Sequence, residues 1–277
     1  MGEKARLMIE SFNLMGYDVV GIGDDDLTLG KEFLLEISKK ANFPFLSTNL
    51  FDEASGKNLF QPSLIKKVNG LRIGIFSLLS PDLFTNPSDP RKKGLSIRPP
   101  IEAAQAMVKE LKPKTDLIIL LSHLGYAKDI ELAQSAQGIN IIVGGHTGIN
   151  LVYPLVIKNT IILQTASRGM FGARLDLSFH NDEPIFYNSA TEVSLENNLR
   201  NLNQRLNVQG TPEAEKAQLE KAKEETERTL SQIQTKNQFT NHIIALQPQM
   251  KEDPDIKKLV DAYKAKTQTT ANPVSPK

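Results

Sequence analysis

Roughly the first two thirds of the chain alternate short apolar runs with segments in which apolar residues recur every three or four positions. Runs rich in Val, Ile and Leu between glycine or polar turn residues predict strands, and the three- and four-residue steps predict amphipathic helices. The predicted strands cover residues 17–23, 45–48, 64–68, 71–79, 117–122, 139–143, 156–158, 160–164 and 173–179, and the predicted helices include 101–111 and 129–136. This alternation predicts an α/β fold with mixed sheets.

Composition changes beyond residue 190, where Glu, Lys, Gln and Asn become frequent. Apolar residues there follow helical spacing in two segments. The connection, Gly210-Thr211-Pro212-Glu213, offers a C-cap glycine, an N-cap threonine and a proline at the first helical position. The pattern predicts a helical hairpin over about residues 192–238. Because each segment has a single apolar stripe and fewer than three clean heptads are visible, we favour an appendage packed on the core over a coiled coil that binds a partner protein.

The predicted organisation has three parts. Residues 1–190 form the core, residues 191–265 hold the hairpin and one further short helix, and the polar, proline-containing residues 266–277 are expected to form a disordered tail.

Composition and charge exclude several classes of protein. Lys and Arg number 33 against 32 Asp and Glu, so the formal net charge of +1 gives no basic surplus for binding nucleic acid or an anionic membrane. The absence of cysteine excludes disulfides, cysteine-ligated metals and thiol nucleophiles. The longest apolar run, residues 117–121, is far shorter than the roughly 20 residues of a membrane helix. No apolar segment typical of a signal peptide follows the first six residues.

Side chains that can bind a metal or a phosphate occur where three predicted strands end. They are Asp24, Asp25 and Asp26 after the strand 17–23, His123 after the strand 117–122, and His146 after the strand 139–143. Adjacent carboxylates repel one another, and a divalent cation would relieve that repulsion, although aspartates at this place serve equally well as helix caps. Two histidines at the ends of successive strands, joined by a carboxylate, form a ligand set suited to Zn, Mn or Fe.

Four motifs that contain or flank these residues occur in order between about residues 5 and 179. They are Gly23-Asp24-Asp25-Asp26-Leu27-Thr28-Leu29-Gly30, Asn42-Phe43-Pro44-Phe45-Leu46-Ser47-Thr48-Asn49, Leu121-Ser122-His123-Leu124-Gly125 and Gly144-Gly145-His146-Thr147. Together they resemble the 5′-nucleotidase and UDP-sugar hydrolase branch of the calcineurin-like metallophosphoesterases. The resemblance implies a sandwich of two mixed β-sheets flanked by helices, followed here by the helical hairpin. It also implies hydrolysis of a small phosphorylated substrate, such as a nucleotide, by water or hydroxide held between two metal ions, in the periplasm or cell envelope.

The resemblance assigns roles to individual residues. Asp24 stands where the family has an asparagine on the second metal, and Asp25 stands at the catalytic position, where the family has a histidine beside the phosphate. His123 matches the strand-end histidine, and His146 matches the first histidine of the family's Gly-His-Thr-His motif. One metal position, held by Asp24, His123 and His146, is therefore implied, with Zn, Mn, Fe and Mg not distinguished.

The other metal position is not matched. Gly148 replaces the second histidine of the Gly-His-Thr-His motif, and the family's opening Asp-x-His and Gly-Asp-x-x-Asp motifs have no counterpart. We therefore expect a core that lacks its first strands. Asp24 adds a negative charge where the family has a neutral amide, which weakens a bound ion as a Lewis acid, and Asp25 repels phosphate oxygens. These changes predict an impaired or inactive hydrolase.

Two alternatives stay open. The segment Asp24-Asp25-Asp26-Leu27-Thr28 fits the Asp-x-Asp-x-Thr loop of haloacid-dehalogenase-like phosphatases, with Asp24 as nucleophile and Asp26 as acid and base. That alternative leaves the two histidines unexplained. The second alternative is a non-catalytic metal-binding or scaffold protein that keeps the fold and binds a partner through the hairpin.

Overall fold

Strands and helices alternate along the chain in the computed structural model, which describes residues 2–86 and 88–271. The helices are α1 (Gly2–Met15), α2 (Gly30–Ser38), α3 (Pro100–Leu111), α4 (Tyr126–Ser135), α5 (Ser189–Leu206), α6 (Glu213–Gln234) and α7 (Pro254–Ala271). The strands are β1 (Val20–Gly21), β2 (Phe45–Leu46), β3 (Leu50–Asp52), β4 (Ser63–Val68), β5 (Leu71–Leu79), β6 (Leu95–Ile97), β7 (Leu117–His123), β8 (Ile141–Gly144), β9 (Leu155–Ile157), β10 (Thr160–Leu163), β11 (Phe171–Ser178), β12 (Phe186–Asn188) and β13 (Asn237–Ala245). None of the helices in the described ranges combines the length and hydropathy of a membrane-spanning segment.

The chain divides into two compact units, and a six-stranded mixed sheet lies at the centre of the first. This unit takes in the chain up to Leu151, then Leu155–Met170, then the chain from Ala245 onwards. The strand order is β4-β5-β7-β8-β10-β9. β5, β7, β8 and β10 run parallel, while the edge strands β4 and β9 pair antiparallel through hairpins. The central strands are apolar along most of their length because both faces of a parallel sheet are covered.

Each face of this sheet carries its own apolar cluster. The first cluster joins α3 and α4 to the sheet through Phe76, Leu78, Leu111, Ile118, Leu120 and Leu132, among others. The second joins α1, α2, β2, β3 and β6 to the opposite face through Ile9, Leu27, Leu34, Phe45, Leu50, Leu79 and Leu95, among others. The α/β sandwich implied by the resemblance is present, and its second layer consists of the short pairs β1-β2 and β3-β6.

Gly21 brings β1 into close contact with the central sheet. A Cβ atom at Gly21 would lie 3.0 Å from the Cβ of Ser77 and 3.1 Å from the Cβ of Leu121. Any side chain would therefore push β1 away from β5 and β7. The contact matters for function because the acidic turn starts directly after β1.

The second unit comprises Val152–Pro154 and Phe171–Ile244. Its three-stranded sheet has the order β11-β13-β12, and the helices α5 and α6 connect β12 to β13. Leu202, Leu219 and Ile233 of the two helices are buried, as are Phe186 and Phe239 of the sheet. The predicted helical hairpin is thus present, but it joins two strands of one sheet.

Two details of the predicted C-terminal region differ from the structure. The strand β13 was not predicted, because Asn237, Gln238, Asn241 and other polar residues hide its alternation of buried and exposed positions. The expected disorder does not hold for residues 266–271, which continue α7, since no glycine or proline interrupts the chain between Asp255 and Ala271. α7 packs on α1, with Lys266 Nζ 2.7 Å from an oxygen of Glu3. Residues 272–277 lie outside the described residues.

Asp129 of α4 is a buried carboxyl group between α4 and β7. Its side chain is fully buried, Oδ1 accepts a hydrogen bond from the Ser122 hydroxyl, and Oδ2 finds no hydrogen-bond partner within the described ranges. Burial raises the pKa of Asp129 to about 6, although the Ser122 hydrogen bond opposes the rise. The folded chain therefore holds this proton more tightly than the unfolded chain, and folding stability falls as the pH rises from about 4 to about 6.

We expect Asp129→Asn to stabilise the chain at neutral pH. An amide keeps the acceptor for Ser122 and carries no charge, so the advantage of Asn over Asp should grow by about 2 kcal/mol between pH 4.5 and pH 7. Urea unfolding of both proteins at pH 4.5 and pH 7 measures this difference in the free energy of unfolding. Asp116→Asn is the control: hydrogen bonds from Arg72 lower the pKa of Asp116 to about 2, so its effect should stay level in this range. An advantage for Asn that does not depend on pH would show that burial does not raise the pKa of Asp129.

We also expect the hairpin to be dispensable for the first unit. Neither apolar cluster of that unit includes a residue of α5 or α6. Replacing residues 190–234 with a short Gly/Ser linker should leave a soluble chain that melts cooperatively in calorimetry. As a control, Leu132→Ala opens the first cluster and should cost about 2–5 kcal/mol. Aggregation of the shortened chain would contradict the prediction.

Candidate metal centre

Asp24 projects from the tight turn that follows β1. Residues Asp25–Leu27 form one turn of 3-10 helix, and Asp26 Oδ2 accepts a hydrogen bond from the Gly23 N–H at 2.8 Å. Leu27 is fully buried in the second apolar cluster and holds the turn against the core. No aspartate side chain caps the 3-10 helix. Asp26 instead holds the turn through Gly23, and the Asp24 carboxylate points at the ends of β7 and β8.

His123 is the last residue of β7, paired in register with Leu79 of β5. Its ring lies between two glycines. A Cβ atom at Gly23 would lie 3.0 Å from His123 Cε1, and one at Gly145 would lie 3.4 Å from His123 Nδ1. The absence of side chains at both positions lets the imidazole approach the acidic turn.

His146 follows β8 in a turn that favours glycine. Its φ angle is +71°, a region that non-glycine residues rarely adopt, although histidine does so more often than most. Gln164 of the loop after β10 donates a hydrogen bond to the Thr147 hydroxyl at 2.9 Å and so holds the turn. A non-glycine residue kept in this conformation is typical of functional sites.

The three side chains meet at one edge of the sheet. Asp24 Oδ1 lies 2.9 Å from His123 Nε2 and 4.0 Å from His146 Nδ1. One ligand atom from each residue lies within 4.8 Å of the other two. Asp24 is the most enclosed of the three, at 14% side-chain exposure, and His146 is the most open, at 37%.

Arg91 completes the site, and sequence analysis did not identify it. Its Nη1 donates a hydrogen bond to Asp24 Oδ2 at 2.7 Å. Burial opposes ionisation of Asp24, but the hydrogen bonds from His123 and Arg91 outweigh it and keep the pKa of Asp24 below its usual range. Asp24 is therefore a carboxylate at neutral pH.

Asp25 lies elsewhere. Its side chain is exposed and lines a groove of about 520 Å³ together with apolar residues of α1 and α2, among them Met8, Phe12 and Phe33. It does not join the group formed by Asp24, His123 and His146. The catalytic role of Asp25 stays a prediction.

The three converging residues fit a divalent metal ion. One carboxylate oxygen and two imidazole nitrogens are common ligands of zinc and of other first-row ions. In a tetrahedral site such ligand atoms are about 3.3 Å apart, which lies between the 2.9 Å and 4.8 Å found here. Small side-chain rotations are enough to complete the geometry.

Comparison with known proteins finds 5′-nucleotidases and related proteins as relatives. No family model matches the chain. A 5′-nucleotidase of Vibrio cholerae is 31% identical over 200 residues, which are 61% of this chain and 36% of the relative. Protein UshA of Escherichia coli is 30% identical over 202 residues, which are 62% of this chain and 37% of that protein. The chain thus spans about a third of the length of these curated relatives.

Solved structures agree at the level of the fold. The crystal structure of a 5′-nucleotidase precursor from Thermus thermophilus superposes with a TM-score of 0.68 at 22% identity, covering 96% of this chain and 46% of that one. The aligned relatives contain the fold whose strand ends bring Asp24, His123 and His146 together here. The chain is thus similar in sequence to 5′-nucleotidases, and it shares its fold with the solved structures of a 5′-nucleotidase precursor and of a calcineurin-like phosphoesterase.

Proposed function

We propose that this chain is the metal-binding part of a phosphoester hydrolase of the 5′-nucleotidase type, with one divalent ion held by Asp24, His123 and His146. The observation that carries the proposal is the convergence of these side chains, although Asp24 and His123 are 99 residues apart in the sequence. The relationship to 5′-nucleotidases supplies the reaction class.

A divalent ion bound there would polarise a phosphoryl oxygen and lower the pKa of a coordinated water. The residues of the chain determine how a phosphate reaches the site. His146 is the most exposed of the three and faces solvent, whereas Asp24 and His123 lie deeper. A phosphate therefore approaches from the side of His146. Gly23 and Gly145 leave room for the His123 ring, so that Nε2 can approach Asp24.

Turnover by this chain alone should be slow or absent. The described residues offer one group of three potential metal ligands, whereas two-metal hydrolysis clamps both the attacking and the leaving oxygen. Asp25 stands where the resemblance implies a histidine beside the phosphate, but it lies outside the group of Asp24, His123 and His146 and offers no donor to a phosphate there. The proposed activity is thus that of an impaired hydrolase.

The substrate and location are proposed by analogy with the relatives. We infer a small phosphate ester such as a nucleotide as the substrate, and the periplasm or cell envelope as the location. The haloacid-dehalogenase alternative is disfavoured, because the Asp24 oxygens face His123 and Arg91 and the relatives belong to another family. A non-catalytic metal-binding protein on the same fold is the alternative that the following experiment separates. Binding of a partner protein through the hairpin stays a prediction.

We expect the full chain to bind one divalent ion, and His123→Ala to weaken that binding on the order of a hundredfold, because one of three ligands is lost. Isothermal titration with Mn²⁺ and Zn²⁺ measures the affinity. Hydrolysis of nucleoside 5′-monophosphates and of an aryl phosphate measures the activity. His180→Ala is the control, since His180 lies in the second unit.

The outcomes separate the two functions. Slow hydrolysis that depends on metal and on His123 supports the impaired hydrolase. Metal binding without any turnover favours the non-catalytic alternative. Equal metal binding by the wild type and His123→Ala would contradict the site itself, and rapid turnover would show that one metal position is sufficient.

A further inference from the structure

We propose that Arg91 is a positioning residue that restricts Asp24 to one metal-binding oxygen and offsets the charge of its carboxylate. The inference rests on the proposed metal site. It concerns how Asp24 binds an ion, which neither the fold nor the family relationship determines.

The two oxygens of Asp24 have different partners. Oδ1 faces the imidazoles, 2.9 Å from His123 Nε2 and 4.0 Å from His146 Nδ1. Oδ2 accepts the hydrogen bond from Arg91 Nη1 at 2.7 Å. A carboxylate with one oxygen engaged in this way has only the other oxygen available to an ion between the two histidines.

Arg91 is itself held in place from several directions. Its Nη2 and Nε donate hydrogen bonds to Asp89 at 2.8 Å and 3.1 Å, and the Asp89 carboxylate also accepts the backbone N–H of Arg91. The guanidinium lies 5.0 Å from the centre of the Phe84 ring, and Nη2 is 3.4 Å from the Leu83 carbonyl oxygen. Such a clamp orients the planar guanidinium before any ion binds.

The arrangement has a consequence for an ion at the site. A bidentate carboxylate raises the coordination number and donates more negative charge, which weakens the ion as a Lewis acid. Arg91 prevents the second contact and places a positive charge beside the ligand. Asp24 therefore acts as a single, partly neutralised oxygen donor. The ion keeps its Lewis acidity, while its affinity is lower than an unpaired aspartate would give.

The test titrates Co²⁺ into the full chain and follows the visible absorption of the bound ion, which weakens as the coordination number rises. Arg91→Met should keep one ion per chain, bind it about tenfold more tightly and give a weaker band, because Oδ2 becomes a second ligand and a nearby positive charge is lost. Arg91→Lys keeps the positive charge but loses the planar guanidinium. Its affinity for Co²⁺ and its band intensity should lie between those of the wild type and Arg91→Met. If Arg91→Met does not fold, Arg91→Lys alone must still show the weaker band.

Two further variants separate positioning from general effects. In an Asp24→Asn background, Arg91→Met should leave the shape and intensity of the band unchanged, because an amide offers one oxygen to an ion. Arg72→Met removes the same charge from an arginine that pairs with Asp116 near the amino end of β5, and should change neither affinity nor spectrum.

An identical affinity and band in the wild type and Arg91→Met would overturn the inference. A lower affinity of Arg91→Met would overturn it as well. So would a change of the band on Arg91→Met that is as large in the Asp24→Asn background as in the wild type, since either result would show that Arg91 only supports the local chain. If Co²⁺ binding depends on His123 but is insensitive to Arg91, the inference fails and the proposed function stands. If the wild type binds no Co²⁺, both fail.

Discussion

Parallel pairing of β7 with β8 is the constraint on which the site depends. The register Ile119↔Ile141 to Ser122↔Gly144 brings the ends of both strands to the same edge, so that His123 at the end of β7 and His146 just after β8 come within reach of each other. Their ring centres are 5.2 Å apart. A parallel ladder also requires that both faces of the sheet be covered, and the two apolar clusters meet this requirement. The core that stabilises the fold is therefore also what places the ligands.

Asp24 reaches this edge only because β1 lies close to the sheet. Gly21 allows the strand to approach β5 and β7, and Gly23 leaves room for the His123 ring. The half-buried carboxylate that results would be unfavourable without partners. His123 and Arg91 supply them, and the guanidinium is in turn balanced by Asp89. The geometry of one aspartate thus depends on two glycines and a chain of ion pairs.

The sequence predicted the parts of this arrangement that local pattern determines. The Asn69-Gly70 turn between β4 and β5, the buried strands β7 and β8, and the position of His123 and His146 at strand ends all follow from periodicity and turn chemistry. Arg91 could not be found in this way, because it lies 67 residues from Asp24 in a single turn of 3-10 helix too short to show any periodicity. The strand β13 was missed for a related reason: its pairing within the second sheet, not its polar composition, makes it a strand.

Two unfavourable features lie beside the candidate metal centre. His146 adopts a positive φ angle, and Asp129 buries a carboxyl group whose second oxygen has no partner among the described residues. Each lowers the stability of the folded chain, and both lie at the exits of β7 and β8, where Ser122 connects Asp129 to the strand that ends in His123. The rest of the first unit must supply the free energy that keeps them there. Local strain of this kind is maintained only where the surrounding core is well packed, and the strands that end at this edge carry fully buried residues such as Leu120 and Ile142. The same packing fixes the ends of β7 and β8, from which His123 and His146 reach Asp24.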